Sequence, residues 1–190
     1  MHELVPHHLW THLYRPEEDP HSPFNGQETQ GHTAVNTVYN YYIHPFWDSI
    51  GSSTLYVKLL YASYEEGFAI IELLGEWNDA LHNDIMYLRR ALTDELEQAG
   101  IQYFILLGAH VMDFHGSDEA YYEEWQENLE DGWVAALDFR EHVVSEMKRT
   151  RLGPYLYFGG YFNQVPWRTL SPLALFKEVQ GRIQGKQLRP

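Results

Sequence analysis

The chain has 190 residues and no cysteine, which excludes a disulfide framework, a thiolate-ligated zinc or iron–sulfur centre and a cysteine nucleophile. Basic side chains are scarce: 13 Lys and Arg stand against 27 Asp and Glu, a formal net charge of −14. Binding to phosphate backbones needs basic surface to release counterions, so nucleic acid is not expected as a partner. Long apolar runs are missing too; stretches such as 104–107 fall far short of the about 20 residues that span a bilayer, and no membrane partner is expected. The opening Met-His-Glu-Leu-Val-Pro-His-His has neither the basic nor the apolar region of a secretory signal, so the expected location is cytoplasmic. There is no glycine-rich dinucleotide or Walker-type phosphate loop, and no Gly-x-Ser-x-Gly elbow for a serine hydrolase.

What is present is one domain's worth of chain, long enough to bury roughly 70% of its unfolded surface without metal or disulfide staples. Its charge is unevenly placed. Residues 1–139 hold 4 basic and 24 acidic side chains, while residues 140–190 hold 9 basic and 3 acidic. Such asymmetry fits oriented docking or a self-associating homodimer. Solvated helix faces with a basic last helix account for it equally well.

Residues 1–33 contain four of the nine prolines and six of the eleven histidines with irregular apolar spacing. They read as an N-terminal arm, extended, disordered or ordered only against a surface, with a turn of helix at 8–14. Residues 34–190 read as a single α/β domain. Its first segment, 38–47, is an aromatic edge strand or irregular piece packed on the body. The β-type runs 54–64 and 68–77, separated by Glu65-Glu66-Gly67, predict an antiparallel hairpin. Apolar residues at Ile85, Leu88, Leu92 and Leu96, with Asn83 as N-cap and Gly100 past the end, predict an amphipathic helix. The run 101–108 is a doubly buried strand. A helix over 118–130 capped by Ser117 follows, then 133–137, a strand or a continued helix that the Asp131-Gly132 break tips toward strand, and a helix opened by an Asp138–Glu141 capping box. A strand at 154–159 and a last helix begun by Ser171-Pro172 complete the order. A hairpin followed by alternating helices and strands gives a mixed, mostly parallel sheet with about four helices.

Three features carry a family resemblance. The strand Phe68-Ala-Ile-Ile-Glu-Leu-Leu-Gly75-Glu76-Trp-Asn-Asp79 ends in Gly-Glu and an Asp. A leucine-spaced helix follows, and then an apolar strand leads to His110-Val-Met-Asp113-Phe114-His115-Gly116. This stretch resembles the first half of a STAS domain, the family of bacterial anti-sigma-factor antagonists, over about fifty residues and, by element order, over about 120. The resemblance implies a STAS-like topology and a scaffold whose loop and following helix dock a protein partner or, less often, a nucleotide. In the family a partner kinase phosphorylates the serine after the loop aspartate. Here that place is Phe114 and the nearest hydroxyl is Ser117, so the usual phospho-switch is not expected.

The densest polar group is His110, Asp113, His115, Ser117, Asp118 and Glu119, where a strand hands over to a helix, a place where ligands gather in open α/β sheets. Imidazoles and carboxylates there suit a divalent metal through His110, Asp113 and His115, or an acid–base pair. Asp118 and Glu119 equally suit a helix's first turn. His8 and His12, four apart, could share a helix face and hold metal, whereas Pro6 breaks any His-Glu-x-x-His reading. Glu76 and Asp79 read as capping residues rather than a carboxylate pair. Tyr121, Tyr122 and Trp125 lie on two faces of the acidic helix, and Tyr155, Tyr157, Tyr161, Phe162 and Trp167 cluster near the last strand. Both groups suit interface anchors or core packing.

The reading is a non-catalytic protein-interaction or regulatory module that takes no cofactor and prefers a basic partner surface. Its docking face is Asp113, Phe114, His115, Gly116, Ser117, Tyr121, Tyr122 and Trp125. The alternative is a small-ligand or divalent-metal enzyme built on His110, Asp113 and His115.

Overall fold

A computed structural model describes residues 4–27, 37–38 and 41–187. Two short strands, β1 (Thr37–Val38) and β2 (Tyr41–Tyr42), pair with each other, and a six-stranded sheet makes the body. Its strands are β3 (Asp48–Ser49), β4 (Leu55–Ser63), β5 (Phe68–Asn78), β6 (Tyr103–His115), β7 (Trp133–Leu137) and β8 (Tyr157–Phe158). The order across the sheet is the order along the chain. β3, β4 and β5 pair antiparallel, and β5 through β8 pair parallel. The expected hairpin is β4–β5, but β3 precedes it, so the hairpin is not the sheet's edge.

The α-helical segments are α1 (Asp79–His82), α2 (Asp84–Leu88), α3 (Asp94–Gln98), α4 (Ala120–Asn128), α5 (Glu141–Arg149) and α6 (Pro172–Gln187). Six replace the expected four or so because a single helical turn, α1, precedes the amphipathic helix and a π-helical stretch, Arg89–Thr93, divides that helix into α2 and α3. The four leucine-type positions still face inward, and Ile85, Leu88, Leu92 and Leu96 are all buried.

A strictly sequential parallel order has a consequence. Right-handed crossovers that always step in the same direction put every crossover helix on one face of the sheet. Accordingly α2, α3, α4 and α5 all pack on the inner face, against Ile71, Leu73, Phe104, Leu106 and Val134. The outer face, with Phe68, Ile70, Ile105 and Leu107, is covered by Leu175, Phe176, Val179 and Ile183 of α6 and by Trp10 of the N-terminal arm. Burial on both faces explains why β5 and β7 read as nearly continuous apolar runs. The strand order never reverses, so the sheet has no topological switch point, and the usual reason for a ligand crevice at the strand ends does not apply here.

Several boundaries differ from expectation. Residues 110–115, expected as a loop, continue β6, because they pair with 74–78 of β5, through two register shifts. Ser117 does not cap α4; the helix starts at Ala120, whose N–H is taken by Asp118 Oδ1 at 3.1 Å. Asp138 forms no capping box. It sits at φ 59° and its carboxylate accepts from Trp167 Nε1 and Arg168 instead. The strand expected over 154–159 shrinks to the two residues of β8.

Of the expected arm, residues 4–27 lie on the body, and 28–33 are outside the described residues. Trp10 and Phe24 are buried, and Tyr14 and Tyr64 both donate to Asp19 Oδ2 at 2.6 Å. Where described, the segment 38–47 has strand pairing at Val38 and at Tyr41–Tyr42 and is irregular after Ile43. Ile43 bridges to Leu4, and Trp47 Nε1 donates to the Leu4 carbonyl at 2.8 Å.

Candidate functional site

The carboxyl ends of β5 and β6 gather the residues singled out in the sequence, but they divide into three sets. The first is a shallow polar rim: His115 Nε2 stands 3.3 Å from Glu76 Oε1 and 3.5 Å from Asp113 Oδ2, and Asn78 donates to Glu76 Oε1 at 2.7 Å. His115 and Ser117 are exposed and Gly116 is half-buried. Gly116 is held to glycine by packing, since a Cβ there would lie 2.2 Å from Thr150 Cγ2. His110 is not part of this rim. It faces the outer side of the sheet, so the proposed metal set of His110, Asp113 and His115 does not converge. No group of three or more His, Asp or Glu that could hold a metal occurs among the described residues. His8 and His12 are both exposed on the arm.

The second set is core. Phe114, Tyr122 and Trp125 are fully buried beneath the helices. Phe114 meets Trp77 edge-on and Trp125 packs on Phe104. Tyr122 Oη donates to Asp79 Oδ2 at 2.6 Å. The sequence reading left these aromatics as interface anchors or core packing and put Tyr122 and Trp125 in the docking face; the structure buries both, with Trp125 on Phe104 of β6 and α4 packed against α2 as well. Tyr121 is half-buried, and its carbonyl accepts from the buried Arg89 at 3.1 Å.

Asp79 and Asp84 are likewise structural. Asp79 accepts from Trp77 Nε1, Ile85 N–H and Tyr122 Oη, and Asp84 accepts from Ser52, Thr54 and the Asn78 N–H. Burial pushes Asp79 up to about 6, against the lowering effect of its hydrogen bonds. The role expected of Asp79, a cap, belongs to Asn78, whose Oδ1 takes the Leu81 N–H.

The third set was not foreseen. Glu72, in the middle of β5, faces outward and is only 1% exposed. Its Oε2 accepts the His7 N–H at 2.7 Å, and its Oε1 lies 3.6 Å from His110 Nε2. Burial pushes Glu72 up to about 7, while burial pulls His110 down. Both shifts disfavour the charged forms, which weakens the contact as an ion pair. Trp47 meets His110 edge-on, and His7 packs between Trp10 and Trp167. The one signal in the sequence was an acid inside the apolar run 68–75.

The exposed face beside the rim is acidic. Asp118, Glu119, Glu123, Glu127, Glu130 and Asp131 are all exposed, and Glu124 pairs with Arg90. Tyr155 lies against this row; desolvation and then the charges of Glu123, Glu119 and Glu127 raise its hydroxyl.

The fold defines a mixed α/β sheet with its crossover helices on one face. Among solved structures, that of the anti-sigma factor antagonist SpoIIAA in its unphosphorylated form is similar to this chain, with a TM-score of 0.45 and 17% sequence identity over 68% of this chain and 96% of that one. No family model matches the chain, and no curated protein does.

Proposed function

We propose that this protein is a non-catalytic interaction or regulatory module of STAS-like type that docks a partner with a basic surface. The docking face in this reading is the polar rim of Asp113, His115, Gly116 and Ser117 together with the outer side of α4. The observation that carries it is the row Glu119, Glu123 and Glu127 with Tyr155 beside it, solvent-facing and without a Lys or Arg anywhere in 118–131. Like charges gathered on one helix face are mutually repulsive, and a complementary cationic surface relieves that repulsion while steering encounter. Tyr155 supplies the amphipathic ring that anchors such contacts. The position after the loop aspartate is Phe114, buried under Trp77, so this reading involves no serine phospho-switch there. The alternative enzyme built on His110, Asp113 and His115 has no convergent geometry behind it.

The test is capture of partners on immobilised protein from native cells at low and high salt. The reading expects salt-sensitive capture that the charge reversal Glu119→Lys, Glu123→Lys, Glu127→Lys abolishes and that Lys177→Glu on the opposite face leaves intact. Capture unchanged by the triple reversal removes this surface.

A further inference from the structure

We propose that residues 4–14 form a releasable strap closing over the Glu72–His110 pair, and that the strap loosens when Glu72 loses its proton. The strap crosses the outer face beside α6. The buried side chain that anchors its turn 8–14 is Trp10, while Leu9 and Leu13 are 57% and 52% exposed. A cleft of about 260 Å³ runs between it and β4, lined among others by His7, Trp10, Tyr14, Phe46 and Lys58. Segments with few buried contacts open at the low end of a protein's stability range. Its polar ties to the body are few: the His7 N–H on Glu72, the Leu4 carbonyl under Trp47 Nε1, and the Leu4–Ile43 bridge. At its far end Tyr14 and Tyr64 both donate to Asp19, which makes Tyr14 the fixed point from which the residues before it can lift.

Glu72 couples this to protons. With the strap down, the carboxyl is buried, with one N–H donor and the His110 ring beside it. With the strap lifted, it meets water and its pKa returns toward the ordinary 4.5 from about 7. Docking therefore takes up a proton between those values and weakens as pH rises through them, levelling off above about 7. The charged groups facing Glu72 are engaged elsewhere. Lys58, its partner in register on β4, is held by Asp48 at 3.0 Å. Arg168 lowers Glu72 and Asp138 raises it, and these two pair with each other. Burial lowers both His7 and His110, with His8 and Arg168 adding to it at His7 and Arg168 and Arg140 at His110, so they act oppositely: their docking term strengthens as pH rises toward 6.5. Glu72→Gln separates the two effects, because it removes only the carboxyl.

Hydrogen–deuterium exchange on the full chain, corrected for intrinsic rates, reads the strap through the amides of His7, Leu13 and Tyr14. The ratio of their protection in the wild type to that in Glu72→Gln is expected to fall at least about tenfold from pH 5 to pH 8. Amides of β6 should show no such change. A ratio constant within about twofold, or β6 amides moving in step, overturns the proposal. Should Glu72→Gln fail to fold, Trp10→Ala tests the reciprocal effect: weaker docking must bring the Glu72 carboxyl titration down by at least about one unit, followed by NMR. An unchanged titration with freely exchanging strap amides overturns it as well.

Discussion

Strand β5 carries buried carboxyl chemistry in two places, and the contrast between them separates scaffold from moving part. At its carboxyl end, Asp79 and, just beyond it, Asp84 each accept three hydrogen bonds from groups fixed by the sheet and helices. In its middle, Glu72 has one such bond, from an arm residue 65 positions away, and an imidazole at 3.6 Å. A buried carboxylate with a full set of donors is held in place by its surroundings; one with a single donor leaves its ionisation as an open cost that conformational change can relieve. The inner end of β5 is thus built to stay closed, and its outer middle to respond.

The largest effect expected is on the inner side. Trp125→Ala should cost about 3–5 kcal/mol, since a fully buried ring leaves a cavity that a helix packed flat on the sheet cannot close. Tyr122→Ala adds the loss of a donor to Asp79. Domains hold only about 5–15 kcal/mol in total, so the double variant should be largely unfolded in urea titrations. A double variant that stays folded would mean α4 is detachable and would erase the contrast. Tyr122→Phe keeps the ring and removes only the hydroxyl, with an expected cost of about 1–3 kcal/mol from the same measurement.

The outer side gives the next effect, with its sign fixed by linkage. Glu72 has a folded-state value of about 7 against an ordinary 4.5, so its contribution to stability is present below 4.5 and lost as pH rises through 7. Glu72→Gln should therefore equal the wild type in urea midpoint near pH 4 and exceed it by about 1–3 kcal/mol near pH 8. A difference that does not change with pH would mean Glu72 is as fully solvated or as fully paired as any surface acid, and the two ends of β5 would no longer differ.

Most of the sheet was legible because its signals are local. The Glu65-Glu66-Gly67 turn and the spacing of Ile85, Leu88, Leu92 and Leu96 each specify an element without knowledge of the rest, whereas the run 133–137 suits strand and helix alike and is strand in the sheet. What was misread depends on distant partners. Residues 110–115 look like a loop in sequence, and only pairing with 74–78 makes them strand. Asp138 looks like a cap, until Trp167 and Arg168, about thirty residues on, take its carboxylate. For Tyr122 and Trp125, the spread of aromatics over two faces of one helix argued against a shared core, whereas the helical layer buries both. Glu72 was visible as an acid inside the apolar run 68–75, but nothing local says that the arm's His7 would close over it.

The smallest effect on the fold belongs to the acidic face. Glu119→Gln, Glu123→Gln and Glu127→Gln, made together, remove three exposed charges that touch no buried group. Surface substitutions of this kind change stability by about 0.5 kcal/mol or less, and relief of mutual repulsion offsets any loss at the start of α4. The melting temperature should hardly move, while the salt dependence of partner capture should flatten as the long-range attraction goes. That pairing of results sets this face apart from both environments on β5: here charge is free of the fold, and its removal is felt only by whatever docks. A triple variant that loses stability as strongly as Tyr122→Phe would show instead that the carboxylate row is tied into the inner layer, and the docking role assigned to it would fall.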